Sequence, residues 1–95
     1  MNKTEYLLIC LIEECAEIQQ AATKALRFGL NNGHPSRRNT NADDIAKECC
    51  DLIAIIELLE EEKIINGMTN IQNIKHKKKK MKHYMNYSRG LGILI

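Results

Sequence analysis

Two stretches of this chain repeat apolar residues at helical spacing while carrying carboxylates on or beside the apolar face. The first holds Glu13-Glu14-Cys15-Ala16-Glu17, and the second holds Glu48-Cys49-Cys50-Asp51. A carboxylate brought toward an apolar interior is costly unless a cation neutralises it. The pattern therefore restricts the fold to facing helices whose acids meet, with something positive between them. A divalent metal held by acids from both helices meets that need most simply.

The periodicity sets the elements. Leu7, Leu8, Leu11, Cys15, Ile18, Ala22, Ala25 and Leu26 place a first helix over about Lys3 to Phe28, with Gly29 as its stop. Residues 29–40 carry turn formers and two arginines and read as loop. Thr40 or Asn41 can cap a second helix whose first turn holds Asp43 and Asp44. Ile45, Cys49, Leu52, Ile55, Ile56 and Leu59 mark its apolar spacing, and Asn66-Gly67 is its expected end. Thr69-Asn70-Ile71-Gln72 matches a capping box for a third helix, whose stripe is Ile71, Ile74, Met81 and Met85. The expectation is that Ser88 to Gly92 breaks this helix and residues 90–95 form a tail.

The fold class is thus all-α: one helical domain over residues 1–95, with about three helices. With one Phe, three Tyr and no Trp among 95 residues, its core must be aliphatic and thin. Self-association into a larger helical bundle, as a homodimer or homotetramer, is the expected way to complete it. The four cysteines fall inside apolar helical patterns without Cys-x-x-Cys spacing, and read as reduced small hydrophobes of a cytoplasmic protein. Leu7–Ile12 is apolar but is followed at once by acids, unlike a secretory leader, and no run reaches membrane-spanning length.

Helical geometry locates the acids. At about 100° per residue, Asp44, Glu48 and Asp51 fall within about 60° of one another, in the direction of Leu52, Ile55 and Leu59. Glu14 borders the stripe of Leu7, Leu11 and Ile18, and Glu13 and Glu17 lie beside it. Pairing with Lys24, Arg27 or the later lysines would be the purely structural explanation. Four or five converging carboxylates repel strongly, however, and Mg²⁺ or Mn²⁺ relieves this with oxygen ligands alone. A di-iron bundle needs Glu-x-x-His, which is absent, and no ligand set for zinc exists.

Glu-Glu-x-x-Glu followed by Glu-x-x-Asp on the next helix resembles the all-α nucleoside triphosphate pyrophosphohydrolases, the MazG-like superfamily. Leu11 to Gly29 looks especially like the small phage-encoded and bacterial members. So does Asn41 to Asp51 combined with the late segment Lys78 to Arg89. The likeness covers most of residues 4–89. It implies Mg²⁺-dependent hydrolysis of a nucleoside triphosphate to monophosphate and pyrophosphate. The motif match gives Glu14, Glu17, Glu48 and Asp51 the metal-ligand positions, and Glu13 the extra acid that orients or deprotonates the attacking water. Chemistry agrees: a triphosphate is anionic, and metals bridging carboxylates to phosphate oxygens allow acids to hold it. No P-loop motif is present.

Bases crowd residues 75–82. Most are a solvated face, but Lys78 and Lys82 share a side at i, i+4 and are candidates for the β- and γ-phosphates. Arg27, Arg37 and Arg38 are further phosphate candidates, and Tyr84 is a candidate contact to base or sugar. Two rivals remain: a nucleic-acid grip built on the basic helix, with nucleic-acid binding ranked below the enzyme, and a non-catalytic helical interaction protein.

Overall fold

A computed structural model describes residues 1–68 and 70–95. Its elements are α1 (Lys3–Phe28), α2 (Asn41–Glu61) and α3 (Ile71–Gly90), and the described residues contain no strand. The start of α1 is fixed by a capping box. Asn2 accepts from the Glu5 N–H at 2.8 Å, and Glu5 accepts in return from the Asn2 N–H at 3.2 Å. At its end Gly29 takes φ 96°, which a side chain would resist, while its N–H still donates to Ala25 at 2.8 Å.

α1 and α2 form an antiparallel hairpin. Lys3 meets Glu62 at 2.6 Å at one end, and Asn41 meets Gly29 at the other. Leu7, Leu11, Glu14, Ile18, Ala21 and Ala25 are buried or half-buried along α1, at alternating steps of four and three. Asn41, Ile45, Glu48, Leu52, Ile55 and Leu59 do the same along α2. Such spacing marks a helix–helix seam. Leu7, Ala21, Ala25 and Leu59 are its buried apolar members, and only Leu59 is fully enclosed. This seam corrects the expected stripe: Leu26 is 88% exposed and Cys15 is also exposed, because each lies one position round from a seam residue.

The loop is stitched onto the start of α2. Asn41 donates its backbone N–H to Asn32 at 2.6 Å and its side-chain amide to Gly29 at 2.8 Å. Ala42 donates to Leu30 at 3.0 Å. Thr40 takes the cap, in a second capping box with Asp43. Asn41 is thereby free to turn inward, where it is 6% exposed.

α2 ends at Glu61, short of the expected Asn66-Gly67. Lys63 adopts φ 58°, and the N–H groups of Lys63 and Ile64 close back onto Glu60 and Leu59 at 2.9 Å. That is a Schellman stop with lysine in the place usually held by glycine. Folding back half-buries Ile64 and Ile65, which favours the turn over another turn of helix. The capping box read at Thr69 involves a residue outside those described. Asn70 caps α3, accepting from the Asn73 N–H at 3.1 Å. α3 then runs through Ser88, later than expected, and stops only where Gly92 takes φ 77°.

Among the described residues α3 packs on neither α1 nor α2, and it buries no residue. Its stripe of Ile71, Ile74, Met81 and Met85 faces water in the single chain. No described helix is long and apolar enough to cross a membrane.

The stitching generates a test. Asn41→Ala removes a buried donor and leaves the Gly29 carbonyl only the long bond from the Asn32 N–H at 3.4 Å, at a cost of about 1–2 kcal/mol. Thermal denaturation followed by circular dichroism should show Tm falling by roughly 5–15 °C. Asn31→Ala, on the exposed side of the same loop, should leave Tm unchanged.

Candidate metal centre

The two seams bring acids together because each gives an apolar position to a glutamate. Glu14 on α1 and Glu48 on α2 both occupy the seam, with Glu17 and Asp51 one turn further along the same sides. The four residues each offer a carboxylate oxygen, and these oxygens lie within 4.8 Å of one another. All four are half-buried. One oxygen of Glu14 and one of Glu48 are fully buried with no hydrogen-bond partner. A buried acceptor left unpaired is expensive, so these two atoms mark where a positive group belongs.

The surrounding cations cover part of that need. Lys47 donates to Asp51 at 2.6 Å and stands 3.9 Å from Glu48. Its pKa is raised, first by the hydrogen bond to Asp51 and then by that carboxylate's charge. Lys47 is itself largely exposed, so its pairing is screened by water and contributes little. The Glu48 carboxyl is held above its ordinary value of 4.5. A hydrogen bond shared with the Glu17 carboxyl is the main cause and desolvation adds to it, while the charge of Lys47 opposes. Arg37, reaching from the loop, pairs with Asp44 at 3.4 Å.

Glu17 and Glu48, but not Glu14 or Asp51, line a cleft of about 260 Å³. Glu17 and Glu48 form one side, with Asp44 and Lys47 along α2. Lys24, Arg37, Asn39 and Asn41 close the loop end. Carboxylates at one end and cations at the other suit a ligand that carries both a metal and an anion. The donor set, all oxygen, fits Mg²⁺ or Mn²⁺ and offers nothing that zinc prefers.

The other sequence candidates lie elsewhere. Glu13 is exposed on α1, about 100° round from Glu14. Arg27 is exposed, with its guanidinium 4.8 Å from the centre of the Phe28 ring. Lys78 lines a separate hollow at the base of α3 with Met68 and Asn73, and Lys82 and Tyr84 are exposed further along that helix. The single chain does not bring Lys78, Lys82 or Tyr84 to the acids. Lys24 and Arg37 stand at the cleft instead. Sequence reasoning missed Lys47, whose signal was its i, i+4 spacing to Asp51, and Asn41, which it took only as a cap.

Glu48 supplies a pH test. Its folded pKa lies above its unfolded one, so its destabilising contribution is fully present above the folded value and disappears below 4.5. In a chelator at neutral pH, Glu48→Gln should melt above the parent protein. The gap should close as the buffer is taken down toward pH 4.5. Melting curves over that window check it, and a constant gap would mean the repulsion is not the cause.

No protein family matches the chain, and neither does a curated protein or a solved structure, so the chemistry of the site rests on its own residues.

Proposed function

We propose that the chain is a Mg²⁺-dependent nucleoside triphosphate pyrophosphohydrolase of the MazG-like kind, acting on the cytoplasmic nucleotide pool. The observation that carries this reading is the convergence of Glu14, Glu17, Glu48 and Asp51, two of them with buried, unpartnered oxygens. These four would hold the metal. When bound, Mg²⁺ supplies charge neutralisation of the phosphates and a lower pKa for the attacking water. The resemblance gives the water-orienting role to Glu13, but within one chain its side chain is exposed about 100° round α1 from Glu14, so that role has no geometric support in the hairpin. Lys24 and Arg37, at the loop end of the cleft, face the anionic phosphates and steady charge on the departing pyrophosphate. Water attacks the α-phosphorus, the bond to the bridging oxygen breaks, and the monophosphate and pyrophosphate separate.

A second copy belongs to this proposal. All 12 acids precede residue 63, whereas α3 holds Lys75, Lys77, Lys78, Lys79, Lys80, Lys82 and Arg89 and no acid. A basic helix with an exposed apolar stripe complements an acidic hairpin with exposed apolar residues such as Ile9, Ile12 and Ile53. Docked on a second hairpin, α3 would complete the core and add its lysines to the Lys24, Arg37 and Lys47 already at the cleft. One observation favours a rival. The same unpacked basic helix is what a nucleic-acid grip would expose, and that reading predicts steep loss of binding with salt.

Canonical and modified nucleoside triphosphates with Mg²⁺ or Mn²⁺ should yield pyrophosphate. Glu48→Gln and Asp51→Asn should each lower turnover by about a hundredfold or more, since even groups that merely orient metal ligands contribute tenfold to a hundredfold. No turnover, with a Tm indifferent to metal, would reject the enzyme. Orthophosphate as first product would reject attack at the α-phosphorus. Sedimentation should find a dimer or tetramer, and Met81→Asp combined with Met85→Asp should leave monomers.

A further inference from the structure

A second cavity, of about 420 Å³, opens on the loop side of the acidic cleft. Phe28, Gly33, His34 and Pro35 form its own walls, and it shares Lys24, Arg37 and Asn41 with the cleft. The volume falls in the range of small-molecule sites, which pair apolar walls with a few placed polar groups. The wall at Gly33 is backbone packed on backbone: a Cβ there would collide with the Asn39 carbonyl. Phe28 is held at the end of α1, and Asn32 ties its side-chain amide to the Phe28 carbonyl at 2.8 Å.

His34 gives the cavity a directional donor. Its Nδ1 accepts the Ser36 N–H at 3.2 Å and lies 2.7 Å from the Ser36 hydroxyl. A neutral ring that accepts at Nδ1 carries its proton on Nε2. The imidazole therefore offers an N–H for a ligand's acceptor. Phe28, His34 and Pro35 present flat or rigid faces of the kind that planar rings stack on. Lys24 and Arg37 sit where this cavity joins the cleft, placed for an anionic chain that runs from one into the other.

We infer that this cavity seats the base of the nucleoside triphosphate, with Phe28 and Pro35 against its faces and His34 donating to an acceptor on its edge. The inference rests on the pyrophosphohydrolase reading and deepens it: the preferred polyphosphates are nucleotides, and the 29–40 loop sets which ones.

Binding with Mg²⁺ separates the two ideas. The probes are α,β-methylene nucleoside triphosphates, which resist hydrolysis at the reacting bond, and inorganic tripolyphosphate, which has no base. Calorimetry should find the nucleotides tighter by on the order of tenfold to a hundredfold. Phe28→Ala should erase that advantage and leave tripolyphosphate binding unchanged; Phe28 is 55% exposed, so the fold does not depend on it. His34→Phe, which keeps a ring without the donor, should lose part of it. Equal affinity for both probes in the parent protein would overturn the base seat alone. So would a Phe28→Ala protein that weakens both alike. Failure to bind either probe would overturn the seat together with the reading it rests on.

Discussion

The hairpin is held by one helix–helix seam, and that seam contains two glutamates. Between Leu7 and Ala25 on α1, and between Asn41 and Leu59 on α2, every step of four or three brings an apolar residue inward except at Glu14 and Glu48. A leucine at either place would bury more apolar surface and remove a buried charge, so the fold would gain stability from the exchange. The glutamates are instead opposed across the interface, each with an oxygen that no group among the described residues satisfies. A cation that bound the folded hairpin would relieve the repulsion and stabilise the fold by mass action, by about 2.7 kcal/mol at a hundred times its dissociation constant.

The rest of the structure arranges what that seam exposes. At the end near Glu48 the loop is bonded to α2 through Asn41, Thr40 and Ala42, which places Arg37 against Asp44 and sets Lys24 across the cleft. At the opposite end the junction is a single exposed ion pair, Lys3 with Glu62, a kind of contact that contributes about a kcal/mol at most. The order of the fold is concentrated where carboxylates and cations face each other. Lys47 acts inside this arrangement as a resident counter-ion. It is close enough to Asp51 and Glu48 to temper their charge, and its side chain is largely exposed.

How much of this was legible depends on whether the signal was local. α1 was read to the residue because its apolar period, its glycine stop and its length agree. Helical geometry put Glu13, Glu14, Glu17, Asp44, Glu48 and Asp51 on or beside the apolar faces, and the motif resemblance narrowed them to Glu14, Glu17, Glu48 and Asp51, whose carboxylates the hairpin brings together. The end of α2 was not, because Lys63 does there what glycine usually does, and no residue type announces it. The depth of the α1 stripe was misjudged at Leu26 because the partner helix selects only a narrow seam from a broader apolar arc. Arg37 and Lys24 were already candidates in the sequence, but the pairing of Arg37 with Asp44 was not, because it forms only after the loop is stitched, and loop stitching depends on pairings such as Asn41 with Asn32 that leave no periodic trace.

α3 is rich in lysine and carries an apolar stripe at helical period, yet among the described residues neither α1 nor α2 packs on it. Its like charges repel one another along its length, and the single chain supplies no packing to offset them. Its capping by Asn70 and its Schellman end at Gly92 are those of a well-formed helix, so the sequence specifies the helix even though the monomer gives it no partner. The acids it would need stand on the hairpin, and the apolar surface it would need is exposed there too. The same excess of carboxylate that asks for a metal within one hairpin asks for a basic helix around it. The second copy proposed above would meet that second demand and would add core to a chain of 95 residues with one buried seam.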